Sequence, residues 1–163
     1  MEEVLDILEE ASMWPPHPLY VRVKYHGNGK KYPLKMTDVG DWCDLHVQDE
    51  CHLLAGQYAQ IPLGVSMELP RGYEAILAPR SSTFKKYGLL QTNGIGIIDN
   101  SYASDNDIWQ MAVYATREIW IPEGARLCQF RIQKNQPAIE FVEVESLGNA
   151  IRGGFGEGTG HKA

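Results

Sequence analysis

Apolar and polar residues alternate with period two along most of this chain. The alternation predicts strands over residues 19–25, 42–47, 60–69, 73–78, 89–98, 107–116, 126–133 and 138–144. Turn-forming residues separate them: His26-Gly27-Asn28-Gly29, Pro70-Arg71-Gly72, Pro122-Glu123-Gly124 and Asn135-Gln136-Pro137. Residues 82–86 are expected to form one helical turn between strands. Many short strands joined by regular turns predict an all-β fold of sandwich or barrel type. Only residues 2–13 depart toward helical spacing. There Val4, Leu8 and Ala11 share a face, and Trp14-Pro15-Pro16 ends the run. That N-terminal helix can lie exposed or pack on another subunit, and the sequence does not choose.

The C-terminal stretch has another character. Residues 148–163 carry glycines at 148, 153, 154, 156, 158 and 160, so they bury little and lose much entropy on ordering. This arm is either flexible or ordered only when it closes on something. Arg152 and Phe155 are its two groups suited to hold a ligand, one by charge and one by stacking.

Bulk composition narrows the class. The chain has 163 residues, with 44% hydrophobic and 22% charged, as expected for one domain spanning 1–163 with a proper core. A net charge of -6 argues against a nucleic-acid binder or an anionic-membrane binder. No apolar run approaches a membrane span, and the N-terminus lacks a signal-peptide pattern. Cys43, Cys51 and Cys128 are an odd number without framework spacing, which predicts reduced thiols and a cytoplasmic location. Cys43, His46, Cys51 and His52 fit no familiar zinc spacing and are read as structural.

Two stretches suggest chemistry. In Thr92-Asn93-Gly94-Ile95-Gly96-Ile97-Ile98-Asp99-Asn100-Ser101-Tyr102 a glycine-bearing hairpin stops at one carboxylate, with an aromatic three residues on. The glycines mark either packing at a sheet corner or a backbone pocket for a flat ligand. Pro79-Arg80-Ser81-Ser82 puts a planar cation and two hydroxyls at a strand end, a combination suited to an anion.

With three further stretches, in order, these resemble the five motifs of the trimeric dUTPase family over residues 40–160. Asp41-Trp42-Cys43-Asp44-Leu45 resembles motif one, Pro79 to Ser82 motif two, and Asn93 to Tyr102 motif three. Gly124-Ala125-Arg126-Leu127-Cys128-Gln129 resembles motif four, and Arg152-Gly153-Gly154-Phe155-Gly156 motif five. The chain differs from the pattern at Ser101, where an acid is usual. It also differs in the longer acidic turn at 103–107 and in an arm lengthened by one residue that includes Glu157.

The resemblance implies a distorted jelly roll and hydrolysis of dUTP to dUMP and pyrophosphate. It implies that the hairpin holds uracil through its backbone, Gly96 and Ile98 included, and through Asn93. Tyr102 would stack on deoxyribose, and Asp99 would be the general base for water attacking the α-phosphorus, with Asp44 in a supporting place. Arg80, Ser81, Ser82 and Gln129 would bind the phosphate chain, and Arg152, Phe155, Gly156 and Thr159 would close the arm over the substrate. Mg²⁺ is implied as cofactor, carried on the triphosphate and waters, because the sequence has no carboxylate cluster for it. A homotrimer with shared active sites is implied as well.

Two alternatives remain. A dCTP deaminase on the same fold would need a glutamate on the strand after motif three, which here reads Ile108-Trp109-Gln110-Met111-Ala112-Val113-Tyr114. A nucleotide-sensing regulatory protein would use the fold to bind a protein partner.

Overall fold

The computed structural model describes residues 18–36 and 38–149. The expected helix at 2–13 and the arm from residue 150 onward lie outside them. Eleven strands are present among the described residues: β1 Arg22–Tyr25, β2 Cys43–His46, β3 Cys51–Leu53, β4 Tyr58–Pro62, β5 Val65–Glu68, β6 Tyr73–Pro79, β7 Leu89–Gln91, β8 Gly96–Ile98, β9 Gln110–Ala115, β10 Ile119–Ile121 and β11 Arg126–Lys134. They form an all-β jelly-roll fold in four antiparallel groups: β1-β5, β10-β3, β2-β11-β6-β8 and β4-β9-β7. One helix, α1, covers Thr83–Tyr87 and matches the helical turn expected at 82–86 to within a residue.

Inward residues of the larger sheets meet in one core. Leu45, Leu77, Leu89, Met111, Val113 and Leu127 are fully buried there. Trp109 packs edge-on against Phe130, with ring centroids 5.2 Å apart. Burying such side chains is worth about 1.5–3 kcal/mol each before entropy is counted.

Several strand expectations are corrected. The run 60–69 is two strands, broken at Leu63-Gly64, where the backbone of Gly29 lies so close that a Cβ on it would sit 2.4 Å from the Gly64 carbonyl oxygen. The run 89–98 is also two strands, because the chain turns at 92–95 and changes sheet. Within the turn expected at 26–29, residues 27–29 belong to a 3-10 helix, Gly27–Lys31, with His26 as its N-cap. Strands expected at 19–25 and 107–116 are shorter, Arg22–Tyr25 and Gln110–Ala115. β3 and β10 were not expected; three residues each are too few for alternation to be read, and they are paired only with one another.

The strand expected at 138–144 does not form. Alternation needs a partner edge, and among the described residues no strand pairs with this stretch. Its apolar residues Ile139, Phe141, Val142 and Val144 stay exposed, Phe141 at 94%.

Candidate active site

The proposed functional residues gather in two places. The first is the outer face of the β2-β11-β6 part of the largest sheet. Register puts Gln129 opposite both Asp44 and Ala78, so these three share a face, while Cys43, Phe130 and Leu77 point to the core. Arg80 follows two residues after Ala78 and continues that face. Its backbone N–H donates to the Leu127 carbonyl at 3.0 Å. Asp44 then holds two guanidinium groups, Arg80 Nε at 2.8 Å from Oδ1 and Arg126 at 3.1 Å from Oδ2. Beside them His46 stacks on Tyr32, with centroids 5.2 Å apart. Burial lowers the His46 pKa; Asp44 opposes that, and Arg126 and Arg80 add to it.

Ser81 and Ser82 are exposed at the start of α1. Ser82 occupies the N-cap position but makes no capping hydrogen bond, so its hydroxyl is available to a ligand. Thr83 anchors the turn by donating its hydroxyl to the Leu127 carbonyl.

The second place is the hairpin and the loop after it. Asn93, Gly96, Ile98, Asp99, Ser101 and Tyr102 line a cavity of about 360 Å³. Gly96 lies against the core side as well: a Cβ there would be 3.2 Å from the Leu77 Cβ, tighter than ordinary packing. Asp99 is exposed at the end of β8. Its Oδ1 accepts hydrogen bonds from the Ser101 backbone N–H, at 2.8 Å, and from the Ser101 hydroxyl. No cation pairs with it among the described residues. These bonds, the hydroxyl's first, lower the Asp99 pKa against a small opposing effect of burial. Tyr102 donates its hydroxyl to the Ile108 carbonyl at 3.3 Å.

The acidic turn that follows is held by its own carboxylates. Asp107 accepts from the Ser104 N–H at 2.7 Å, and Asp105 pairs with Lys24 at 3.1 Å.

The two places are not brought together within one chain. Ile98 is opposite Ala75 on β6, and Arg80 follows five residues further along. Asp99 comes level with Glu74, six residues before Arg80, so at ~3.3 Å per residue the two are separated by roughly 20 Å along the strand. Arg152, Phe155, Gly156 and Thr159 lie outside the described residues. Among the described residues, no three His, Cys, Asp or Glu side chains are grouped to hold a metal. No helix among them is long and apolar enough to cross a membrane, and Cys43, Cys51 and Cys128 are free thiols. Sequence reasoning did not assign Arg126 or Ser101 a contact; the partner of each became visible only through register and loop geometry.

A family-level sequence model for dUTPase matches residues 38–160. The chain is 46% identical over 144 residues to the SPbeta prophage-derived deoxyuridine 5'-triphosphate nucleotidohydrolase YosS of Bacillus subtilis strain 168, covering 88% of this chain and 100% of that protein. It is 32% identical to the deoxyuridine 5'-triphosphate nucleotidohydrolase of Thermobifida fusca, over 74% of this chain and 68% of the relative. Among solved structures, it superposes with a TM-score of 0.68 on a mutant dUTPase from phage phi11 of Staphylococcus aureus, which coordinates a structural Mg(II) ion. That match has 18% identity and covers 78% of this chain and 98% of the other, a likeness of fold.

Proposed function

The chain belongs to the dUTPase family and is a dUTP diphosphatase, and from that premise we propose how its residues divide the work of splitting dUTP into dUMP and pyrophosphate. The uracil lies against the hairpin backbone at Gly96 and Ile98, with the Asn93 amide at its edge. Tyr102 packs on the deoxyribose, and its ring stands where a ribose hydroxyl would go. Asp99 is the general base. Oδ1 is occupied by Ser101, so Oδ2 takes a proton from water as the water oxygen bonds to the α-phosphorus. The bond from that phosphorus to the bridging oxygen breaks, and pyrophosphate leaves with the electron pair.

Charge grows on the departing phosphates, and Arg80, Ser81, Ser82 and Gln129 meet it with fixed donors. Asp44 holds Arg80 by its Nε edge, leaving the terminal nitrogens for phosphate oxygens. Mg²⁺, when bound, would be held through the triphosphate oxygens and waters and would supply charge neutralisation there.

Since Asp99 and Arg80 of one chain cannot reach the same α-phosphate, each site draws them from two copies of the chain in a homotrimer. The exposed apolar run from Ile139 to Val144 has no place on its own core. This supports an arm that leads Arg152, Phe155, Gly156 and Thr159 to a neighbouring copy.

The observation that carries this reading is the exposed Asp99 carboxylate, with no cation paired to it among the described residues, at the edge of a cavity of about 360 Å³. Pyrophosphate release measured across dUTP, dCTP, dTTP and UTP tests it. Release from dUTP well above the other three is expected; ammonia release from dCTP would assign the site to a deaminase instead.

A further inference from the structure

The cavity beside Asp99 has a wall that the mechanism above does not use. Trp109 and Gln110, on either side of the start of β9, also line it. Of its polar side chains, Ser101 is engaged with Asp99 and Tyr102 with the Ile108 carbonyl. The amides of Asn93 and Gln110 have no hydrogen-bond partner among the described residues. Trp109 is fully buried, and its indole N–H has no partner either. Of these two consecutive residues, Gln110 is exposed and offers its unserved amide to the cavity, while the Trp109 indole stays within the core.

Register places Gln110 along that cavity. On β7 and β9, Leu90 is opposite Tyr114 and Gln91 is opposite Val113. The next residue, Thr92, donates its N–H to the Ala112 carbonyl at 3.0 Å. Followed antiparallel, Gln110 falls beside the Asn93-Gly94 turn. That is the end of the cavity away from Asp99, where the mechanism puts the base. Alternation on β9 sends Gln110 outward with Tyr114, while Met111, Val113 and Ala115 are buried.

We infer that Gln110 is a specificity residue, whose side-chain amide reads the polar edge of the pyrimidine together with Asn93. The inference rests on the dUTP reading of the site. A primary amide offers both donors and an acceptor. Its N–H can serve the carbonyl that uracil carries at the 4-position. A carboxylate in its place would repel that carbonyl and accept from the 4-amino group of cytosine. The neutral side chain therefore favours uracil where an acid would favour cytosine.

The test is kcat and KM for dUTP and dCTP in wild type, Gln110→Ala and Gln110→Glu. Gln110→Ala is expected to raise KM for dUTP by about 3- to 10-fold, the range for one lost hydrogen bond, and by more than it lowers kcat. Gln110→Glu is expected to lower the dUTP-to-dCTP ratio of kcat/KM by about tenfold or more. Gln110 is exposed, and thermal melts of both variants check that they fold as wild type does. A KM for dUTP within twofold of wild type in the alanine variant, with an unchanged ratio in the glutamate variant, would overturn the inference. Failure of the underlying reading looks different, since wild type itself would then release no pyrophosphate from dUTP.

Discussion

Asp99 and Arg80 stand at opposite ends of β6. Ile98, just before Asp99, pairs with Ala75 near the start of that strand, whereas Arg80 follows its last residue, Pro79. The residue proposed to activate water and the residue proposed to bind phosphate are thus about 20 Å apart along the strand in one chain. The strand between them is hydrogen-bonded on both sides, by β11 and by β8, and does not bend to close that gap. Under the proposed mechanism, a site that uses both residues would take them from two copies of the chain.

Asp99→Asn is expected to keep KM for dUTP within about tenfold of wild type and to lower kcat by about 10²-fold or more, the usual worth of general-base catalysis. The amide keeps the shape but cannot take the proton. Steady-state pyrophosphate release checks it, and near-normal kcat would remove Asp99 from the role.

The pH profile should report Ser101. Its two hydrogen bonds favour the charged form of Asp99, so the folded pKa lies below the ordinary value. A base with a lowered pKa stays deprotonated as pH falls, so the acid limb of kcat/KM should fall below the ordinary aspartate range. Ser101→Ala removes the hydroxyl's bond, raises that pKa and moves the acid limb to higher pH. An acid limb at the same pH in both proteins would contradict this.

Tyr102→Ala should narrow the preference for dUTP over UTP, because the ring that excludes the ribose hydroxyl is gone. Tyr102→Phe should keep most of the preference, losing only the hydroxyl's bond to Ile108. The kcat/KM ratio for the two nucleotides checks both; equal ratios in wild type and Tyr102→Ala would point to another gate.

Gly124 should tolerate no side chain. Its φ is +73°, and a Cβ there would sit 2.3 Å from the Tyr32 ring. Gly124→Ala therefore combines backbone strain with a clash against an aromatic that stacks on His46. A loss of about 2 kcal/mol or more in unfolding free energy is expected, read by denaturant titration. A loss under about 0.5 kcal/mol would mean that Tyr32 moves freely.

The long strands were legible in the sequence because both their faces are committed. β6 and β11 run for seven and nine residues, and their expected bounds, 73–78 and 126–133, were each one residue short at the C-terminal end. The break at Leu63-Gly64 was not legible, since apolar residues flank it and only the sheet topology shows the change of partner; at 92–95 the turn signal of Asn93-Gly94 was present but was read as lying within one strand. The three-residue β3 and β10 carry too little pattern. At 138–144 the apolar pattern was read as a strand, but among the described residues no strand pairs with that stretch. In the site, the spacing of Asp99 and Tyr102 suggested one pocket mouth, and the structure puts both on one cavity. Arg126 was not legible, because its link to Asp44 spans 82 positions and exists only through the pairing of β11 with β2.

Complementation between two inactive variants tests the shared site most directly. Asp99→Asn lacks the base but keeps Arg80; Arg80→Ala keeps the base but lacks the phosphate-binding cation. The two are unfolded, mixed in equal amounts and refolded together. If each site takes Asp99 from one copy and Arg80 from another, random assembly makes about a quarter of the sites whole, half for each good part. Activity near a quarter of wild type is the expected result. If both residues act from the same chain, no site is whole, and activity no higher than that of the two parents would contradict the account.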